Sequence, residues 1–352
     1  MAPATLDLVA RPATDPTPIF DLFRGHAATE LLTVAVAHFR LFDLLASGPL
    51  HPDILQRQLN LADRPWSVLT TALRAFGLVT LDGCGHLQAT PLATTHLSSD
   101  APFSISGYLG LAAESSGVLA MRDAMLSNRP ANAGAGQEGV SFIYRDDLPS
   151  AMEQQASARR LTLALAGRAR NVAPVLADVV PLPGADVLLD VGGGTGLYAI
   201  AYLQRHPKLR AVVWDRPEVL KVAHEFAAAA GVTDRMQLQA GDMFRDEVPQ
   251  ADVALLSNVL HDWDVPQCRA LVKRLAHALP KQGRLVIHDV FLNDALDGPL
   301  PVALYSADLF LLTEGRAYSK SQHTAWLAEA GLTPTPAVST LVHASSIVAT
   351  KR

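Results

Sequence analysis

Two cysteines in 352 residues, Cys84 and Cys268, are too few and too far apart for a disulfide framework or a zinc ligand set. The chain also lacks a basic excess, with 29 lysines and arginines against 34 acids. Between residues 50 and 100 there is no lysine, and Arg57, Arg64 and Arg74 face Asp53, Asp63, Asp82 and Asp100. Phosphate neutralisation needs several bases on one face, so nucleic acid is excluded as an expected partner. Long apolar runs are missing too. The run Leu31 to Ala37 is too short to span a bilayer. The first 18 residues are broken by Pro3, Pro12, Pro16, Pro18, Asp7 and Asp15, and read as a loose, disordered arm, not a signal peptide. These absences predict a cytoplasmic protein with no membrane span and no metal. What remains, 49% apolar and 18% charged residues, is enough for two globular domains.

One further absence is informative because of where it falls. Residues Leu188 to Leu197 read LLDVGGGTGL, an apolar run ending in three glycines with a fourth at 196. The dinucleotide pattern G-x-G-x-x-G would need glycine at Leu197 or Thr195 and is therefore not met. The pattern present is G-x-G-x-G, at Gly192, Gly194 and Gly196. A strand, a glycine turn and a helix start in this order let backbone N–H groups approach an anionic ligand.

The N-terminal half reads as helical. Leu32, Val36, Phe39 and Leu45 fall near helical spacing over Ala28 to Ala46. A short helix follows at Asp53 to Leu59, and Asp63 is placed to cap a third that ends before Gly77. Leu78 to Leu81 and His86 to Ala89 then flank the turn Asp82-Gly83-Cys84-Gly85. Helices followed by a hairpin outline a winged helix. Residues 101 to 180 keep a helical pattern, with Met152, Leu161 and Leu165 as core or interface positions, up to a boundary at Pro181-Leu182-Pro183-Gly184.

Beyond the boundary, strand-like and helix-like segments alternate. Strands are expected at Asp186–Val191, Arg210–Asp215, Met236–Ala240, Ala251–Ser257, Arg284–Phe291 and Ser346–Thr350. Helices are expected at Leu197–Arg205, Glu218–Ala230, Pro266–Leu279 and Ser319–Ala330. Such alternation predicts an α/β fold with a mostly parallel sheet covered on both faces, whose ligands sit beyond the strand ends. Asp215 at the second end can accept from ribose hydroxyls, or serve a helix start. At the third, Asp242 can accept from an adenine amino group while Met243 and Phe244 pack on its ring, or Asp242 can be a turn acid. His261-Asp262, past the fourth, is the best general-base candidate among 12 histidines, although a lone histidine is more often structural.

In this order, LLDVGGGTG, WDRP, GDMF and NVLHDWDVPQC resemble the small-molecule O-methyltransferases of plants and bacteria. That family includes the caffeic acid type and bacterial enzymes acting on phenazines, naphthoates, mitomycins and anthracyclines. The resemblance runs from about residue 20 to the C-terminus. It implies a helical, winged-helix-like dimerisation and substrate-lid domain at 19–180, then a Rossmann-like domain at 181–352 that binds S-adenosylmethionine (SAM), in a homodimer. It also implies that the Gly192 to Gly196 turn holds the methionine end of SAM, Asp215 its ribose, and Asp242 and Met243 its adenine. Ser257 stands near the cofactor, where many members carry lysine or another polar residue. Trp263 walls the adenine or base pocket, and His261 is the general base. Two glutamates flank that histidine in plant members. Their positions fall on Asp289, which like Asp262 is a candidate to raise the basicity of His261, and on Ala317, for which Glu314 is the candidate substitute.

The acceptor is expected to be a flat aromatic molecule held by apolar side chains. Candidates are Met152, Phe142, Phe310 and Leu311, each of which can equally be ordinary core. The departure at Ala317 keeps C- or N-methylation open, and a non-catalytic SAM-binding regulator is the reading from another class.

Overall fold

The computed structural model describes residues 6–130 and 155–352, which form two compact units. Described residues 19–130 and 292–319 make a helical unit. Its helices His26–Thr33, Asp63–Ala75, Ser116–Ser127 and Leu300–Leu312 enclose a core that includes Leu31, Phe42, Leu69, Met121 and Phe310. Strands β1 (Val79–Leu81) and β2 (Leu87–Ala89) form the expected hairpin, with Val79 opposite Ala89. Asp82 closes its turn by accepting from the N–H groups of Cys84 and His86, at 2.8 and 2.9 Å.

Two local expectations are corrected here. The helix expected over Ala28 to Ala46 is broken. After Thr33 the chain forms a π turn, Val34–His38, in which the N–H of Phe39 reaches back to the carbonyl of Val34, and Arg40 then takes a left-handed φ of 46°. Apolar spacing reports which residues face inward, not a change of turn width. Asp63 is not the cap, because Ala62 is, and Asp63 instead accepts from Gln56 Nε2 at 2.8 Å.

The other unit comprises described residues 6–18, 155–291 and 320–352. Strands β3 (Val187–Val191), β4 (Arg210–Asp215), β5 (Met236–Ala240), β6 (Val253–Ser257) and β7 (Arg284–Leu292) run parallel in the order β7-β6-β3-β4-β5. Strand Ala344–Lys351 adds antiparallel beside β7, with Ser346 opposite His288. Helices Gln155–Val179, Leu197–Arg205 and Pro217–Ala230 pack together on one face, and Val265–Ala278 packs with Lys320–Glu329. The chain steps outward through β3, β4 and β5 and then returns to the other side of β3. The reversal lies between the ends of β3 and β6, where open α/β sheets bind ligands.

The unit boundaries differ from the expected divisions at 18 and 180. Helix Gln155–Val179 belongs with the sheet, because Val172, Ala173 and Leu176 are buried where it meets Leu197–Arg205 and Pro217–Ala230. Helix Leu300–Leu312 belongs with the helical unit, packed on Asp63–Ala75, and Arg64 Nη1 donates to the carbonyl of Thr313 at 2.9 Å. Residues 6–18 are not a loose arm. Leu8 is only 2% exposed, Gln204 bonds both Leu8 N and Leu6 O, and Arg205 donates to the carbonyls of Leu8 and Val9. Those partners lie almost 200 residues away, beyond the reach of local reading. Among the described residues, no helix is long and apolar enough to cross a membrane.

Candidate active site

The glycine turn opens directly from β3. Gly192 N donates to the carbonyl of Trp214, and Gly192, Gly194 and Gly196 have φ of 62°, 59° and 71°. Gly196 is the N-cap of helix Leu197–Arg205, and a Cβ there would stand 2.5 Å from Met236 Cε and 3.3 Å from Val213 Cγ2. Only glycine meets both the left-handed backbone and the close packing. Beneath the turn lies Asp190, buried and accepting from the Ala199 N–H. Burial pushes its carboxyl up to about 7, against that hydrogen bond.

Asp215 ends β4 with one carboxylate oxygen on the glycine turn and the other on the start of the next helix. Its Oδ2 accepts from Gly194 N at 2.8 Å and its Oδ1 from Arg216 N at 2.6 Å. The helix that follows is capped by Arg216, not by Asp215. Each carboxylate oxygen keeps further lone pairs for hydroxyl donors. Asp242 also works as a turn residue, since its Oδ1 accepts from Phe244 N at 2.8 Å. Phe244 packs edge-on against Trp263, with ring centroids 4.6 Å apart, so Trp263 walls the same strand-end region as Asp242 and Met243. The glycine cradle, the acceptors at Asp215 and Asp242 and this aromatic wall suit a ligand with an adenosine moiety. SAM, when bound, supplies an activated methyl group to such a site.

The catalytic candidates follow β6. His261 lies in a short 3₁₀ turn, Leu260–Asp262, and is 4% exposed. Its Nδ1 stands 2.5 Å from Asp289 Oδ1 on β7, and its Nε2 stands 3.6 Å from Asp262 Oδ1. Because Asp289 also accepts from Val290 N, the carboxylate is held, and Nδ1 carries the proton donated to it. Burial acts to lower the His261 pKa, but the charges of Asp289 and Asp262 outweigh it and raise the group above its ordinary value. Burial works to raise the Asp289 carboxyl, yet the His261 charge and hydrogen bond hold it below the usual range. Asp262, half-buried with a less direct partner, is pushed up to about 6 by desolvation. The turn is clamped by Cys268 Sγ, 3.1 Å from the Leu260 carbonyl and 3.3 Å from that of Trp263.

Two residues absent from the sequence-based set belong here. Arg168, on helix Gln155–Val179, sets its positive charge against Tyr198, His261, Asp262 and His288. Its helix carries no motif, so only packing brings it to the strand ends. His288 is buried behind Ser257, with Nδ1 2.8 Å from Ser257 Oγ.

The acceptor candidates fare differently. Phe142 and Met152 lie outside the described residues. Phe310 is fully buried in the core of the helical unit with the Arg64 guanidinium 4.4 Å over its ring, and Leu311 packs against that core. Leu165, expected as core or interface, is 53% exposed. Ala317 is buried and donates its N–H to Ser306 Oγ, so no acid stands at that position.

Comparison with known proteins agrees with this geometry. The model of the O-methyltransferase domain matches residues 146–333. The chain is 33% identical over 319 residues to 3-hydroxy-5-methyl-1-naphthoate 3-O-methyltransferase of Streptomyces sahachiroi, covering 90% of this chain and 89% of the relative. It is 30% identical over 271 residues to the N,N-dimethyltransferase OxyT of Streptomyces rimosus, covering 77% and 75%. Among solved structures, an O-methyltransferase family 2 protein from Planctomyces limnophilus, in complex with apigenin, is 48% identical and superimposes with a TM-score of 0.90 over 99% of this chain and 100% of that one.

Proposed function

This chain belongs to the SAM-dependent O-methyltransferase family, and from that premise we propose that it methylates a hydroxyl of a small aromatic secondary metabolite, with His261 as general base. The observation that carries the proposal is the buried His261–Asp289 pair, 2.5 Å apart, with His261 past the end of β6 and Asp289 on β7. Asp289 holds the imidazole with Nδ1 protonated, which leaves Nε2 to take the acceptor's proton. The names of the relatives, a hydroxynaphthoate O-methyltransferase and a protein solved with apigenin, support an aromatic acceptor. The binding roles of Gly192 to Gly196, Asp215, Asp242, Met243 and Trp263 toward SAM, and of Leu311 toward the acceptor, are part of this reading. Incubation with methyl-labelled SAM and a panel of phenols and aromatic amines tests it. Label on oxygen is the expected result, and label only on nitrogen or carbon overturns it. A relative named as an N,N-dimethyltransferase, together with Ala317 where plant members carry an acid, makes nitrogen the second reading.

The helical unit is read as the homodimer face. Leu22, Phe23, Tyr108 and Leu111 are 74–83% exposed, apolar area that a monomer does not ordinarily leave in water. Sedimentation is expected to give a dimer, and Leu22→Glu with Phe23→Glu a monomer. A wild-type monomer at micromolar concentration sinks the assignment. The free, exposed Cys84 suits a reducing compartment, and we place the enzyme in the cytoplasm.

A further inference from the structure

Residues 241–252 cross from β5 to β6 as turns and coil. A crossover between parallel strands is usually carried by a helix, whose own hydrogen bonds fix its backbone. Here a side chain from a later helix takes hold of the backbone. Arg274, half-buried on helix Val265–Ala278, donates from Nε to the carbonyl of Met243 at 3.1 Å and from Nη2 to the carbonyl of Asp246. The guanidinium is a planar fork of fixed spacing, so it holds two carbonyls three residues apart at once.

The grip on Met243 reaches Asp242 through a single peptide plane. The Met243 carbonyl and the Phe244 N–H belong to the same planar unit. The carbonyl accepts from Arg274, and the N–H donates to Asp242 Oδ1 at 2.8 Å. Turning that plane would release the carboxylate. With the plane held, Oδ1 is committed, and Oδ2, 3.9 Å from Arg216 Nη2, keeps lone pairs for a further donor. The Asp242 side chain is 18% exposed, so its carboxylate is within reach of a ligand. The turn itself is shaped from within. Asp246 Oδ2 accepts from Asp242 N at 2.8 Å, and the Asp242 carbonyl accepts from the N–H groups of Arg245 and Asp246 at 3.1 and 2.9 Å. Arg274 ties that turn to the helix that follows β6.

We propose that Arg274 is a positioning residue for the adenine of SAM: its fork fixes the Met243–Phe244 peptide, which presents Asp242 Oδ2 to the 6-amino group, and so sets selectivity for an aminopurine. The inference rests on the adenine role of Asp242, and neither on His261 as base nor on any acceptor.

The test is calorimetric binding of S-adenosylhomocysteine and of its analogue with hydrogen in place of the 6-amino group, which requires neither acceptor nor turnover. The wild type is expected to bind the analogue about 10- to 100-fold more weakly, the range for a hydrogen bond to a charged group. Asp242→Ala is expected to bind the two alike. Equal binding by the wild type, or a preference retained in Asp242→Ala, refutes the adenine role of Asp242 and this proposal with it. In Arg274→Met, which keeps the aliphatic stem and removes every donor, the ratio is expected to fall to a few-fold. A purely structural role would weaken both ligands equally and keep the ratio. A wild-type ratio in Arg274→Met therefore overturns the role of Arg274 and leaves that of Asp242 standing. Arg274→Lys, which has the charge without the fork, is expected to give an intermediate ratio and reports even where Arg274→Met fails to fold. A wild-type ratio in Arg274→Lys overturns the proposal as well.

Discussion

His261→Ala is expected to lower kcat by about 10²- to 10⁴-fold, the usual worth of a positioned base, while SAM affinity stays at the wild-type level. The separation follows from the architecture, since His261 hydrogen-bonds Asp289 whereas the glycine turn and Asp215 form a separate set of contacts. A phenol has a pKa of about 10 and a free imidazole about 6.5, so proton transfer to an ordinary histidine is uphill. Burial opposes the imidazolium further, but the carboxylates of Asp289 and Asp262 overcome it and raise the His261 pKa. The base works when neutral, so kcat/KM should rise with pH through an inflection above 6.5, the ordinary histidine value. In Asp289→Ala, burial is left less opposed and the inflection moves down. Stability has the opposite sign. A raised folded pKa means the His261–Asp289 interaction stabilises fully below the unfolded histidine pKa and is lost as pH rises through the folded one. Wild-type turnover in His261→Ala, or a pH profile that Asp289→Ala does not shift, rejects the base.

Gly196→Val is expected to abolish SAM binding and to cost about 2–5 kcal/mol of stability, measured by denaturant unfolding. The left-handed backbone, φ 71°, accounts for about 1–2 kcal/mol with any side chain, and a β-branched one is worse. The added carbons would also meet Met236 Cε, 2.5 Å from the first of them, and overpacking of this kind costs about 1–3 kcal/mol. Gly194→Ala separates the two effects. Its φ is 59°, but nothing lies within 4 Å of the added carbon, so only the backbone strain should appear. Equal losses in the two variants would mean that packing against β5 does not hold the cradle.

The sheet was legible because it is written locally. Arg210–Asp215 and Met236–Ala240 form strands with the boundaries expected from their sequence, and helix Leu197–Arg205 begins after the glycine that breaks the strand pattern. Such elements follow from the period of apolar residues and from turn chemistry, both properties of neighbours in the chain. The order of strand-end acids and His261 was legible for the same reason, because a parallel sheet puts every strand end on one side. Packing between distant segments was not legible. Leu8 looked like part of a proline-broken arm, and its burial depends on Gln204 and Arg205. Arg168 sits in an alanine-rich helix whose pattern indicates only burial.

The amino-acid sequence by itself therefore determined the α/β class and the glycine turn at Gly192 to Gly196, and it placed the proposed base, His261, past the fourth strand end. Only the tertiary structure decided which protons those groups hold. The tautomer of His261 comes from Asp289 on β7, 28 residues further along the chain. A hydrogen bond's direction depends on what its last partner can accept, and in this fold that partner is brought up by sheet pairing, not by sequence.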